Sequence, residues 1–139
     1  MRSVLMLFLL FSVSVNAQTV SGPKLEIKSL IEFGTLKQGE KQHMEVLYQN
    51  TGTSNLVVSN VVSSSSFIKV TNEGSEIKPG AYGKILIDIN YWYFYNETYP
   101  PSGDQQVNKT IMIMTNEEEN SSHAIKIKGA MAEPTVINK

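Results

Sequence analysis

The stretch Gly83-Lys84-Ile85-Leu86-Ile87-Asp88-Ile89-Asn90-Tyr91 decides the fold class. Ile85, Ile87, Ile89 and Tyr91 fall on one face of an extended chain, and Asp88 and Asn90 fall on the other. A period of two with isoleucine at every inward position describes a half-buried β-strand and not a helix.

The same alternation recurs on both sides of this stretch. Met44, Val46 and Tyr48 alternate with Glu45 and Gln49, Ile111 and Ile113 flank a methionine, and Ile125 and Ile127 alternate with Lys126 and Lys128. Shorter apolar runs at Leu25–Ile27, Ile31–Leu36, Leu56–Ser59 and Phe67–Val70 read as further strands. Turn residues separate them: Asn50-Thr51-Gly52, Lys78-Pro79-Gly80 and Thr115-Asn116. Pro79 has no N–H for a ladder and suits the turn before the long strand. Asn50 can hydrogen-bond its own turn and end its strand. The pattern predicts an all-β, immunoglobulin-like sandwich of about seven strands, with no helix of useful length after residue 17.

The amino terminus reads differently. A basic start at Arg2 leads into an apolar run over residues 4–15, followed by Val15-Asn16-Ala17, where residues of modest size occupy the positions before a signal-peptidase cut. The run is interrupted by serines and falls short of the roughly 20 residues of a membrane span. The expectation is a cleaved signal peptide over residues 1–17, a single domain over residues 18–139, and a secreted or periplasmic location with no membrane insertion of the mature chain. The absence of cysteine leaves stability to packing and rules out thiolate metal sites. Acidic residues number 13 and basic ones 12, for a net charge of −1, which is no footprint for nucleic acid.

Five short motifs then line up in order. They are Phe33-Gly34-Thr35-Leu36 with Gly39; Tyr48-Gln49-Asn50-Thr51-Gly52 with Leu56-Val57-Val58; Ile77-Lys78-Pro79-Gly80 with Gly83-Lys84-Ile85; Lys109-Thr110-Ile111 with Thr115-Asn116; and Ile125-Lys126-Ile127-Lys128-Gly129. Together they resemble a family of exported bacterial proteins of unknown function, related to Hydin-like and major-sperm-protein-like immunoglobulin folds. The resemblance runs from about Leu25 to Gly129. It implies the fold, export and an interaction role, and supplies no reaction. Members of that family usually carry a Ser-Cys-Gly-Cys-like loop after the third strand; here the stretch is Ser63-Ser64-Ser65-Ser66, so a redox or metal role for such a pair is lost.

No constellation in the chain points to catalysis, and no cofactor or metal is expected. His43 and His123 are the only histidines, neither stands near a Gly-x-Ser-x-Gly elbow, and both read as surface residues. Glu117-Glu118-Glu119 reads as a solvated hairpin connection, because three adjacent carboxylates repel unless hydrated. Asn96, Asn108 and Asn120 each open a glycosylation sequon, of use only in a eukaryotic host.

The feature with most promise is the aromatic run Tyr91-Trp92-Tyr93-Phe94-Tyr95, with Tyr99-Pro100-Pro101 after it. If the strand alternation continues, Tyr91, Tyr93 and Tyr95 point inward and Trp92 and Phe94 outward; a bulge would reverse this and bury Trp92. Trp92, Phe94, Tyr95 and Tyr99 are therefore the candidate partner-binding residues. The first reading is a non-catalytic protein-interaction or structural module of the cell envelope. The alternative is a carbohydrate-binding module that stacks sugars on exposed aromatics.

Overall fold

Among the described residues of the computed structural model, nine strands and one short helix follow one another. The structure describes residues 21–97 and 103–135, with the side chains of 95–97 outside the described set. The expected signal peptide over residues 1–17 and Tyr99 lie outside the described residues, as does the side chain of Tyr95.

The strands are β1 (Leu25–Glu26), β2 (Leu30–Leu36), β3 (Lys41–Asn50), β4 (Leu56–Ser63), β5 (Ile68–Glu73), β6 (Glu76–Ile77), β7 (Tyr82–Asn90), β8 (Gln105–Thr115) and β9 (Ser122–Met131). The helix α1 (Tyr91–Glu97) follows β7. A four-stranded sheet in the order β1-β3-β7-β5 packs on a five-stranded sheet in the order β2-β9-β8-β4-β6. The expected immunoglobulin-like sandwich is present, with more strands than the seven anticipated. Of the nine, β6 matches no run read as a strand in the sequence; it has two residues, too few to show any alternation.

Period-two patterning places the core as expected. Ile85, Ile87 and Ile89 of β7 meet Ile111 and Ile113 of β8 and Ile125 and Ile127 of β9 between the sheets, all fully buried. Burying such side chains stabilises the fold by roughly 1.5–3 kcal/mol each before entropy is counted. Lys126 and Lys128 face solvent, but their strand is not at an edge: β2 pairs with β9 in parallel, from Leu30↔Lys126 to Leu36↔Met131. Gly34, at φ +76°, takes up the register shift in that pairing between Glu32 and Thr35.

Asn50 is a fully buried polar residue that ties the sandwich at one end. Its Oδ1 accepts the N–H groups of Gly52 at 3.0 Å and Lys24 at 3.3 Å, and its Nδ2 donates to the carbonyls of Ser54 and Ile77 at 2.8 Å. The strand-terminating role read from the sequence is thus one part of a larger network, which also joins β3 of one sheet to β6 of the other.

The main departure from expectation lies at residue 91. The chain leaves β7 at Asn90 and turns into α1 instead of continuing as a strand. Asn90 Oδ1 accepts the Trp92 N–H at 3.0 Å, capping the helix start. Tyr91 and Phe94 then share the face toward the core, as residues three apart do on a helix. Tyr91 donates its hydroxyl hydrogen to the Ala132 carbonyl at 2.8 Å, and Phe94 meets Phe67 edge-to-face at 5.0 Å.

Candidate functional site

The two sheets leave a long opening on one flank of the sandwich. β5 is the outer strand of the four-stranded sheet, and β4 in the facing sheet pairs with β6 only at Leu56 and Val57. Among the described residues, nothing pairs with the outer side of β5 or with the second half of β4 on its β6 side.

Hydrogen-bond alternation shows which backbone groups this exposes. In β5 the Phe67 carbonyl accepts the Asn90 N–H, so by antiparallel alternation Lys69, Thr71 and Glu73 bond to β7 while Val70 and Asn72 turn their N–H and C=O groups outward. In β4 the Ser64 N–H donates to the Thr110 carbonyl, and the same alternation turns Val61 outward. Two sets of backbone donors and acceptors therefore face one gap.

A groove of about 710 Å³ occupies that gap. Val61, Val62 and Val70 supply its accessible apolar lining, with the buried Phe67, Ile68 and Ile89 behind them. Ser63 to Phe67 carry the chain from one sheet to the other and close one end. This serine run is anchored: Ser64 Oγ accepts the Thr110 N–H at 3.0 Å, and Ser63 Oγ accepts the Ser65 N–H at 3.2 Å. Tyr93, 56% exposed on α1, stands at the same end.

A polar row crosses the outer face beside the groove. His43 of β3, Asp88 of β7 and Lys69 of β5 are in register, with His43 Nδ1 2.7 Å from Asp88 Oδ1. Further along, Lys84 lies 3.2 Å from Glu45 and 3.1 Å from Glu73, and these hydrogen bonds, Glu73 first, hold its ammonium pKa above the usual lysine value. The groove thus brings His43, Asp88 and the serines Ser63, Ser65 and Ser66 to one flank. Among the described residues no three metal-ligating side chains converge, and no helix is long and apolar enough to cross a membrane.

The structure sorts the predicted site residues. Trp92 is 48% exposed, and its ring meets Tyr91 edge-on at 6.2 Å. Phe94 was expected to face outward and is instead buried against Phe67, because helical geometry returns it to the core side three residues after Tyr91. Tyr93, expected inside, is exposed for the same reason. An exposed sheet edge is an expected binding surface, but that β4 and β5 form it was not read from the sequence; the serine run beside Phe67 and the apolar Val61-Val62 pair were the available hints.

His43 is at the surface as expected, its side chain 55% exposed and hydrogen-bonded to Asp88. Two other surface expectations change: His123 Nε2 lies 2.5 Å from Glu117 Oε2, with the Glu117 side chain only 9% exposed. Glu117 also accepts from the Thr115 hydroxyl at 2.8 Å. Glu118 and Glu119 remain solvated, but Glu117 folds back to brace the β8–β9 connection.

A smaller groove of about 600 Å³ lies on the opposite flank between β2 and β3, lined by Leu30, Ile31, Met44, Val46 and Leu47 with Lys28, Glu32 and Glu45. The bulge at Gly34 bends the strand on that side, a device that discourages strand pairing. On the β4–β5 side, β4 has a register shift between Val58 and Asn60, ahead of the groove, and β5 pairs with β7 without one.

The chain belongs to a family described as a protein of unknown function, DUF1573, whose model matches residues 25–131. No curated protein matches the sequence significantly. Among solved structures, a protein of unknown function from Porphyromonas gingivalis W83 is similar at 19% identity and a TM-score of 0.69, covering 82% of this chain and 49% of that one. The chain therefore spans about half the length of that protein. The ASH/PapD-like domain 7 of human CEP192 is similar at 15% identity and a TM-score of 0.52, covering 90% of this chain and 97% of that domain. The secreted serine protease VesC of Vibrio cholerae matches at 11% identity and a TM-score of 0.54, over 82% of this chain and 23% of the protease. At these identities the likeness is one of fold, and it places the chain among immunoglobulin-like and PapD-like domains.

Proposed function

We propose that this chain is an exported, non-catalytic protein-interaction module of the cell envelope that takes an extended segment of a partner protein along β5. The reading includes removal of a signal peptide over residues 1–17, a single domain over residues 18–139 and a secreted or periplasmic destination, supported by the basic and apolar start of the chain.

One observation carries the binding mode: outward-turned backbone groups on β4 and β5 flank a groove floored by core side chains. A strand laid there gains main-chain hydrogen bonds from Val70 and Asn72 and inserts alternate side chains toward Val61 and Phe67. Tyr93 offers a rigid aromatic contact at the groove end.

Among the described residues of the aromatic run, the carbohydrate alternative draws on exposed Trp92 and Tyr93. Adjacent residues on a helix point about 100° apart, so the two rings do not form one flat stacking platform. The protein-binding reading is the stronger one.

The test is selection of extended peptides from a displayed random library on the purified protein, followed by amide NMR. Binding should shift the amides of Val61, Val70 and Asn72 first. Selected peptides that leave those amides unmoved, or no selected peptide at all, would reject the binding mode. Cell fractionation and amino-terminal sequencing test export, with Gln18 as the expected first residue.

A further inference from the structure

We infer that the partner segment is an alternating apolar strand bearing an acidic residue beside Lys69 and a neutral or basic residue four positions away, beside Glu73. This rests on strand addition to β5 and specifies the chemistry of what is added.

Alternation supplies the first half of the argument. Ile68 and Val70 point between the sheets, while Lys69, Thr71 and Glu73 form the outer face of β5. A strand paired with β5 must match this division, with apolar residues toward Val61 and Phe67 and its other residues directly beside Lys69, Thr71 and Glu73.

Charge supplies the second half. Among the described residues, Asp88 is the only carboxylate lining the groove, and its Oδ1 is held by His43 at 2.7 Å. Lys41 and Lys69 line the same groove in no ion pair, and Lys109 lies over the Phe67 ring at 5.8 Å. The Lys69 end is thus basic on a chain whose net charge is −1. The other end of β5 is acidic, since Glu73 shares Lys84 with Glu45. An opposite charge directly across a strand pair is favourable and a like charge is not, so the two ends set both composition and register.

Blocked heptapeptides test this on the purified protein. The sequence Val-Glu-Val-Thr-Val-Lys-Val laid parallel to β5, or its reverse Val-Lys-Val-Thr-Val-Glu-Val laid antiparallel, should bind about five- to tenfold tighter than Val-Lys-Val-Thr-Val-Lys-Val, a ratio that shrinks with added salt. In the exposed-site variant Lys69→Glu the order should reverse. The peptides should shift the amides of Val70 and Asn72. Equal affinities with those amides shifting would overturn the charge assignment and leave strand addition standing. No amide shift with any peptide would instead overturn strand addition itself.

Discussion

The side chain of Tyr48 covers Gly83, its cross-strand partner, in space that a side chain would otherwise fill. A Cβ on Gly83 would overlap two ring carbons and the hydroxyl oxygen of Tyr48, so the pair works only as large against absent. Gly83→Ala should therefore destabilise the protein by roughly 1–3 kcal/mol, as overpacking does, read as a lower urea midpoint with an unchanged slope.

The same tyrosine predicts an alkaline sensitivity. Burial raises the Tyr48 hydroxyl pKa above its ordinary value of 10.0, against the smaller opposing effect of its hydrogen bond to Asn72. The folded state then holds this proton more tightly than the unfolded chain, so its contribution is full below about pH 10 and is lost as pH rises through the folded value. Tyr48→Phe should cost about 1 kcal/mol at neutral pH and show a shallower alkaline decline. Lys84 loses its ion pairs over the same range in both proteins, so the difference between their urea midpoints isolates Tyr48.

Asn50→Ala removes four side-chain hydrogen bonds and leaves buried backbone groups without partners. A loss on the order of 3 kcal/mol is expected, together with faster amide exchange at Lys24, Gly52 and β6. Exchange unchanged at β6 would show that Asn50 does not tie the sheets.

Within the aromatic run, the two candidates should behave oppositely. Phe94→Ala opens a cavity beside Phe67 and should cost roughly 3–5 kcal/mol, whereas Trp92→Ala should cost under about 1 kcal/mol. Trp92 is the only tryptophan, so red-shifted emission readily quenched by acrylamide would report its half-exposed setting directly. Blue-shifted, protected emission would contradict the helical register of α1.

Val70→Pro removes one outward N–H from β5, where proline is tolerated because the edge is unpaired. Stability should fall only modestly, while peptides selected on the native protein should lose about tenfold or more in affinity. Native affinity in this variant would show that the Val70 N–H makes no bond to the ligand.

How far the sequence could be read depended on how local the determining interactions are. Ile85, Ile87 and Ile89 announced β7 because alternation is written in adjacent residues. The helix after them was hidden: aromatic residues are weak helix formers, and Tyr91, Tyr93 and Tyr95 mimic a continued strand. Asn90 as a cap and the three-residue spacing of Tyr91 and Phe94 were the local signals for it. Glu117 looked solvated in a run of three glutamates, and only the turn at Asn116–Ser121 brings His123 back to meet it.

By itself, the sequence determined that this chain makes a β-sandwich, which faces of its strands are buried, and where its turns fall, since period-two patterning and turn chemistry act over a few residues. Only the tertiary structure decided which strands stand at the edges, that β9 is interior, and that β4 and β5 leave a groove between them. Strand order is set by pairings between residues as distant as Leu30 and Lys126, and no local pattern encodes which backbone groups are left without a neighbour.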